Sequence, residues 1–209
     1  AIKEVMKDEA IDIVVGNNRK KEIFEIIDEY LQKKNLNEKI EKDLNNTTVI
    51  DVEKCEYEEM KVVTSFERRR AYVKIQDGCD RYCTYCIIPY VRGVIRSRKP
   101  EDVLEEIRGI AARGYREIVL TGIHISSYGK DFEGDIEPKE YLAKLMEDIA
   151  DIDGVHRIRI GSFEPMILTE DFVSRISKID KLCPHFHISL QSGCNNTLKA
   201  MNRKYTAEE

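Results

Sequence analysis

Strand-length and helix-length segments alternate regularly from Arg70 to the end of the sequence, and this alternation constrains the fold more than any other feature. Four strand–helix pairs follow one another, with strands predicted at 71–76, 117–121, 158–160 and 186–191. Strands joined through helices run parallel, because a helical crossover returns the chain to the same end of the sheet. The sequence therefore predicts an α/β domain with a parallel sheet that is either open or curled towards a barrel.

Proline, glycine and polar caps mark the ends of the predicted helices. Pro100 and Pro138 can each occupy the first turn of a helix, and Gly114 and Gly154 can follow the ends of those helices. The predicted inward faces are Val103, Leu104, Ile107, Ile110 and Ala111 in one helix, and Leu142, Leu145, Met146 and Ile149 in the other. Two more helices are expected, one from a Thr169 cap through Ile179, and one from Asn195 or Asn196 with Leu198 and Met201 inward. Thr206 is predicted to cap a further element.

The sequence before Arg70 has a different pattern. Segment 11–15 is apolar and is predicted to be a buried strand closed by Gly16. Asn17 or Asn18 can cap the helix that follows. The apolar face of this helix is predicted to contain Ile23, Phe24, Ile27, Tyr30 and Leu31. Residues 33–66 show no sustained apolar period, which predicts a linker with a short strand near 47–50.

The six cysteines are unevenly distributed, and three of them lie in one loop. Cys79, Cys83 and Cys86 form the pattern C-x3-C-x2-C after the first predicted strand, at the barrel end where chemistry usually gathers. Such thiolates select zinc, copper(I) or iron–sulfur. A structural zinc site normally has a fourth Cys or His, and residues 87–123 contain neither. An iron–sulfur cluster with one open iron is therefore favoured, with zinc or a disulfide as alternatives.

The residues around these cysteines resemble radical S-adenosylmethionine (radical SAM) enzymes, and among them the methylthiotransferases. The matching motifs are Gln76-Asp-Gly-Cys79, Cys86-Ile-Ile-Pro-Tyr-Val-Arg-Gly93, Arg96-Ser-Arg98, Leu120-Thr-Gly-Ile-His124, Ser127-Tyr-Gly129 and Leu190-Gln-Ser-Gly-Cys194. Gln76-Asp77 and the segment ending at His124 look most like the enzymes that act on threonylcarbamoyl-adenosine in tRNA. The isopentenyl-adenosine class typically has a Gln-Asn pair where this chain has Ile123-His124.

The resemblance implies a fold and a domain order. Residues 70–209 would form a truncated radical SAM domain, a partial (β/α) barrel of parallel strands. Residues 1–34 would be the end of an α/β N-terminal domain, and residues 35–69 a linker. The last barrel strands, a C-terminal RNA-binding domain and three further cysteines for a second cluster are not in this sequence, so the complete reaction is not expected of it.

The resemblance also implies the chemistry. Cys79, Cys83 and Cys86 would bind a [4Fe–4S] cluster whose open iron takes S-adenosylmethionine, with Tyr85 near the adenine. The implied reaction inserts a methylthio group at C2 of N6-threonylcarbamoyladenosine next to the anticodon. The implied partners are the anticodon loop of tRNA and a reductant such as flavodoxin or ferredoxin. Alternatives are the same chemistry on isopentenyladenosine or on a ribosomal-protein aspartate, and a zinc-stabilised RNA-binding module.

Bulk properties point to a cytoplasmic protein without a membrane span, because the apolar stretches are short and no basic leader precedes one. The net charge of −5 argues against a uniformly basic surface. Local basic patches occur at 68–70 and 92–99, where Arg92, Arg96 and Arg98 could contact phosphate or form a solvated surface.

Several polar residues lie at predicted strand ends that face the cysteine loop. For His124 and Gln191, and less strongly for Gly122, Ser162 and Glu164, a cofactor- or substrate-facing role stands beside simple packing. A second metal site from Cys183 and Cys194 with His185 or His187 is weighed against ordinary barrel lining. Cys55 is expected to be an incidental thiol.

Overall fold

The computed structural model describes residues 2–5, 7–16, 19–36, 57, 70–134 and 137–209. The chain divides into two compact units, Ala1–Met60 and Lys61–Glu209. The predicted Asn17 or Asn18 cap, the strand near 47–50, Cys55 and nearly all of the predicted linker lie outside the described residues.

The first unit contains helix α1 (Ile2–Val5), a 3-10 turn (Lys20–Glu22) and helix α2 (Ile23–Asn35). The predicted helix is thus confirmed. The prediction of a buried strand at 11–15 is wrong, because this segment forms no strand and is only partly buried. An apolar run becomes a strand only when a neighbour supplies a hydrogen-bond ladder, and no described strand pairs with it. Its side-chain contact with α2 is a hydrogen bond of 2.8 Å from the Tyr30 hydroxyl to Asp12.

The second unit is built on a mixed sheet of four strands in the order β2–β1–β3–β4. The strands are β1 (Arg70–Asp77), β2 (Arg96–Ser97), β3 (Glu117–Gly122) and β4 (Arg157–Ile160). Strands β1, β3 and β4 are parallel, as predicted, with Ala71 opposite Ile118 and Ile118 opposite Ile158. Strand β2 was not predicted, and it pairs antiparallel with the end of β1. Two polar residues are too short a segment for periodicity to detect.

The prediction of a fourth parallel strand at 186–191 is wrong. The segment makes one isolated bridge, between Phe163 and Ile188, rather than a continuous ladder. Local hydrogen bonds replace the ladder, from Leu190 N to Ile188 O (2.9 Å) and from Ser192 N to Leu190 O (2.7 Å). Gln191 adopts a positive φ of 63°, which also interrupts an extended backbone.

Except for the first, which was not predicted, the described helices of the second unit begin close to the predicted positions. They are α3 (Ile88–Arg92), α4 (Pro100–Ala112), α5 (Pro138–Ala150), α6 (Glu170–Ile176) and α7 (Asn195–Ala200). Thr169 caps α6 as predicted, because its hydroxyl accepts a hydrogen bond from Phe172 N at 3.3 Å. Helix α6 ends three residues before the predicted Ile179. The Thr206 amide donates to the Glu209 carboxylate at 2.8 Å, but no described helix begins there, so the predicted cap stays a prediction.

The core lies between the sheet and helices α4 and α5. Alternate residues of β1, Ala71, Val73 and Ile75, are buried against the helices, whereas Tyr72 on the opposite face is 48% exposed. The predicted inward faces of α4 and α5 are confirmed, with Leu104 partly buried and the others buried. Because β1, β3 and β4 are parallel, their carboxyl ends meet at one edge of this half-barrel. In the part of the chain that is described, no helix is both long and apolar enough to cross a membrane.

Candidate active site at the carboxyl edge of the sheet

The loop that carries the three cysteines begins at a glycine with a fixed conformation. Gly78 has a positive φ of 73°, and a Cβ there would lie 1.8 Å from the carbonyl oxygen of Val94. Its amide donates to Asp77 Oδ1 at 2.8 Å, and the Cys79 amide donates to Gly93 O at 3.0 Å. These contacts fix where the chain leaves β1 and therefore where the cysteine loop starts.

The predicted ligands are free thiols in this loop. Cys83 is buried, and Cys79 and Cys86 are partly buried. Burial raises the pKa of the Cys79 thiol above its ordinary value. Within the described ranges, no three Cys, His, Asp or Glu side chains converge in metal-binding geometry. The assignment of the three cysteines as ligands therefore remains a prediction.

Gln76 connects the ends of β1 and β3. Its side chain is fully buried, and its amide nitrogen donates to Asp77 O and Gly78 O, each at 2.7 Å. Its Oε1 accepts a hydrogen bond of 2.7 Å from the His124 amide. Gly122 leaves space for this side chain, since a Cβ there would lie 3.0 Å from Gln76 Oε1. The sequence alone gives no signal of this role, because Gln76 is out of phase with the core-facing Ala71, Val73 and Ile75.

Glu164 is the centre of a buried charge cluster just beyond β4. Its carboxylate lies 2.9 Å from Arg81 Nη2 in the cysteine loop and 2.6 Å from Arg203 Nη1 after α7. His124 Nε2 is 3.2 Å away without the alignment of a hydrogen bond, and His124 Nδ1 contacts the Ser127 hydroxyl. Burial acts to raise the pKa of Glu164, but His124, Arg81 and Arg203 outweigh it, so the pKa lies below its ordinary value.

Tyr85 contacts the same cluster from the cysteine loop. Its hydroxyl accepts a hydrogen bond of 2.6 Å from Arg203 Nη2, and the guanidinium carbon lies 5.9 Å from the ring centroid. Tyr85 as a whole residue is 56% exposed, so part of it remains accessible to solvent. The sequence does not reveal the role of Arg203, because a single cation after a short helix gives no signal of its partners.

The turn after α7 holds the cysteine loop through the backbone as well. The Thr84 amide donates to Met201 O at 3.3 Å, and the Thr84 hydroxyl donates to Ala200 O at 3.0 Å. Asn202 has a positive φ of 57°, and its side-chain amide donates to Tyr82 O at 2.9 Å. Two segments more than 110 residues apart in sequence therefore form one structural feature.

The remaining predicted site residues are less tightly held. Ser162 is exposed, and its hydroxyl lies 2.6 Å from His187 Nδ1. Gln191 is exposed in its left-handed conformation. Cys183, Cys194, His185 and His187, like the three cysteines of the loop, do not converge in metal-binding geometry within the described residues.

The prediction of a phosphate-contacting or solvated surface at Arg96 and Arg98 is wrong. Both side chains are buried, and Arg98 forms an ion pair with Glu106 on α4. Arg92 and Arg96 lie 3.7 Å and 3.8 Å from Asp77 Oδ2. Buried cations need internal carboxylate partners, and these carboxylates come from distant segments that a basic sequence run does not reveal.

The chemistry of this edge fits an anionic metal cluster with a charged organic ligand. Three soft thiols occupy one loop, which suits an iron–sulfur cluster with an open iron. Arg81 Nε, His124 Nε2 and Arg203 Nε are buried beside Glu164 and have no hydrogen-bond partner within the described part of the chain. Such donors fit further anionic acceptors at this position.

Comparison with known proteins agrees with this chemistry. A family model described as the radical SAM superfamily matches residues 73–209. The chain is 40% identical over 207 residues to the threonylcarbamoyladenosine tRNA methylthiotransferase MtaB of Bacillus subtilis, covering 98% of this chain and 43% of that protein. It is 49% identical over 139 residues to the tRNA-2-methylthio-N(6)-dimethylallyladenosine synthase of Carboxydothermus hydrogenoformans, covering 66% of this chain and 31% of that protein. The chain thus spans less than half the length of these relatives.

A solved structure shares the fold. The radical S-adenosylmethionine methyltransferase TsrM from Kitasatospora setae superposes with a TM-score of 0.50 at 16% identity, covering 66% of this chain and 26% of that protein. TsrM in that structure has cobalamin and a [4Fe–4S] cluster bound. At this identity the likeness concerns the fold alone, and it agrees with the half-barrel described above.

Proposed function

Because the chain belongs to the radical SAM superfamily, we propose that it is the catalytic core of a tRNA methylthiotransferase. The observation that carries this proposal is the position of the cysteine loop. Cys79, Cys83 and Cys86 follow β1 at the carboxyl edge of a parallel sheet, inside the segment that matches the family. Relatives named as tRNA methylthiotransferases supply the reaction class.

The cofactors of this core are one [4Fe–4S] cluster, held by the three cysteines, and S-adenosylmethionine. Together they supply reductive cleavage of the sulfonium and a 5′-deoxyadenosyl radical. The residues of the chain hold and orient these groups. Tyr85 lies near the adenine, and the buried His124 is held in place by Gln76 and Ser127. Gly122, Ser162 and Gln191 line the same edge as substrate- or cofactor-facing positions.

The proposed substrate is N6-threonylcarbamoyladenosine next to the anticodon of tRNA, with methylthio insertion at C2. The relative that bears this activity in its name aligns with 98% of the chain, whereas the dimethylallyladenosine synthase aligns with 66%. The nucleoside lies in a single-stranded loop, so it can be turned out and stacked without opening a duplex. Isopentenyladenosine remains the second candidate, because the shorter alignment has the higher identity of 49%.

The domain order and partners complete the proposal. Residues 1–34 form the end of an N-terminal domain, 35–69 a linker and 70–209 the radical SAM domain. Electrons come from a small reductant such as flavodoxin or ferredoxin, and the protein acts in the cytoplasm on tRNA.

Anaerobic reconstitution of the 209-residue chain with iron and sulfide tests the chemistry. We expect about four irons per chain, and 5′-deoxyadenosine when S-adenosylmethionine and a strong reductant are added. Cys83→Ala is expected to lose both. Cys194→Ala is the matched control, because Cys194 is exposed and lies outside the cysteine loop, so it keeps the wild-type iron content. Zinc instead of iron in a folded chain would favour an RNA-binding module instead.

Deuterium transfer tests the substrate. An anticodon stem–loop carrying C2-deuterated threonylcarbamoyladenosine is expected to pass deuterium to 5′-deoxyadenosine, because the radical abstracts the atom at the site of insertion. The matched stem–loop with isopentenyladenosine is expected to give unlabelled product. Label from the isopentenyl substrate alone would reassign the enzyme to that class.

A further inference from the structure

The cysteine loop is held in place by a short turn at residues 200–203, which we call the clasp. The clasp contacts the loop at three positions. Asn202 bonds to the Tyr82 carbonyl, the carbonyls of residues 200 and 201 accept from Thr84, and Arg203 bonds to the Tyr85 hydroxyl. These three loop residues flank Cys83 and precede Cys86. The contacts therefore lie on both sides of Cys83 and directly before Cys86, which are two of the three proposed ligands.

Glu164 ties the clasp and the loop to the sheet. Its carboxylate binds Arg81 from the loop and Arg203 from the clasp, and both bonds are within 3 Å. The carboxylate side chain is 5% exposed and the Arg203 side chain 10%, so the pair is shielded from solvent. Charge-assisted bonds at such positions are stronger than neutral ones. Both oxygens of this carboxylate are paired with cations of the chain. Glu164 therefore positions the loop and the clasp and is not left free to bind a ligand.

We propose that the clasp, anchored by Glu164, is the positioning element that fixes the cysteine loop for cluster binding. The proposal deepens the proposed function, because it rests on the three cysteines being cluster ligands. Groups that hold metal ligands from outside the coordination sphere commonly change metal affinity by 10–100-fold, roughly, when they are removed. Asn202 and Arg203 are such groups here, although neither can bind iron itself.

Three variants separate geometry from charge. Asn202→Gly removes the bond to the Tyr82 carbonyl, keeps the charge, and tolerates the positive φ at this position. Arg203→Gln removes the bonds to Glu164 and Tyr85. Arg203→Lys restores the positive charge but lacks the two guanidinium nitrogens that bond to both partners. Lys199→Gln is the matched control, because Lys199 is an exposed cation on α7 next to the clasp.

The first measurement is hydrogen exchange in the cluster-free chain. The Thr84 amide reports directly, since it donates to Met201 O. We expect its exchange to be about tenfold faster in Asn202→Gly and Arg203→Gln, because each loses a hydrogen bond between the clasp and the cysteine loop. Arg203→Lys should lie between these variants and wild type, and Lys199→Gln should match wild type. Unchanged exchange of buried amides in α4 and β3 shows that each variant is folded.

The second measurement is the rate at which reconstituted protein loses iron to a chelator. We expect a rate about tenfold higher in Asn202→Gly and Arg203→Gln than in wild type or Lys199→Gln. Wild-type exchange at Thr84 in both variants would overturn the proposal, and so would faster exchange with unchanged iron loss. If wild type takes up no iron, the proposed function fails. Hydrogen exchange at Thr84 in the cluster-free chain would still show whether the clasp holds the loop.

Discussion

At the scale of single residues, Gly78 fixes the point where the cysteine loop begins. The chain turns there from β1 into the cysteine loop with a positive φ of 73°. The position that a Cβ would occupy is filled by the backbone of residues 93 and 94. Backbone atoms cannot move aside as the end of a flexible side chain can, so both the conformation and the space require glycine.

Alanine at two glycines tests this requirement. Gly78→Ala is expected to lower the free energy of unfolding by about 3 kcal/mol. The alanine would be strained by the left-handed conformation, and its Cβ would overlap with Val94 O. Gly109→Ala, in the exposed middle of α4 with no atom within 4 Å of the new Cβ, should raise it by about 0.5–1 kcal/mol. Urea titration measures both, and equal effects at the two positions would contradict the argument.

At the scale of elements, helix α6 contributes both a buried ring and partly exposed ion pairs. Phe172 is 1% exposed and lies in the main core. On the same helix, Arg175 bonds to Glu147 on α5 at 2.6 Å and also contacts Glu140, but all three side chains are about a third exposed. Solvent weakens such ion pairs, whereas a buried ring loses all of its contacts when it is removed.

The two residues should therefore differ clearly on substitution. Phe172→Ala is expected to lower the free energy of unfolding by about 3–5 kcal/mol, because it leaves a cavity under α5. Arg175→Gln should lower it by less than about 1 kcal/mol, and added salt should reduce that difference further. Chemical denaturation at low and high salt measures both, and a larger effect of Arg175→Gln would show that the ion pairs dominate.

At the scale of the whole second unit, Glu164 joins segments that are far apart in sequence. The cysteine loop, the end of β3 and the turn after α7 each contribute one cation or imidazole to its surroundings. Removing one partner from a buried charge cluster leaves the others without compensation, which is costly in a low dielectric. The stability of the site therefore depends on the ionisation of this carboxylate.

The dependence of stability on pH follows from the lowered pKa of Glu164. A carboxyl group whose pKa is lower in the folded state stabilises the protein above its unfolded value, and that contribution disappears as the pH falls through the folded value. We expect wild type to be more stable than Glu164→Gln by about 3 kcal/mol at neutral pH. The difference should shrink as the pH falls below the ordinary value of 4.5. Urea titrations of both proteins at several pH values measure it, and a difference independent of pH would contradict the assignment.

The sequence by itself determined strands β1, β3 and β4, helices α4 and α5 and the position of the cysteine loop. Hydrophobic period, proline and glycine punctuation and cysteine spacing are local properties, so these elements and the start of α6 could be predicted, whereas the short elements α3 and β2 could not. The same local patterns failed at 11–15 and 186–191. Whether an apolar segment becomes a strand depends on a neighbouring ladder that the segment does not contain.

Only the tertiary structure decided which polar groups meet at the carboxyl edge. His124 and Glu164 could be placed there from strand ends alone, but their partners Gln76, Arg81 and Arg203 could not. Arg96 and Arg98 were buried against carboxylates, although their sequence suggested a surface. Pairs of buried charges form between segments that are remote in sequence, so local patterns do not predict them. In the low dielectric of the interior each such pair has a large effect on stability.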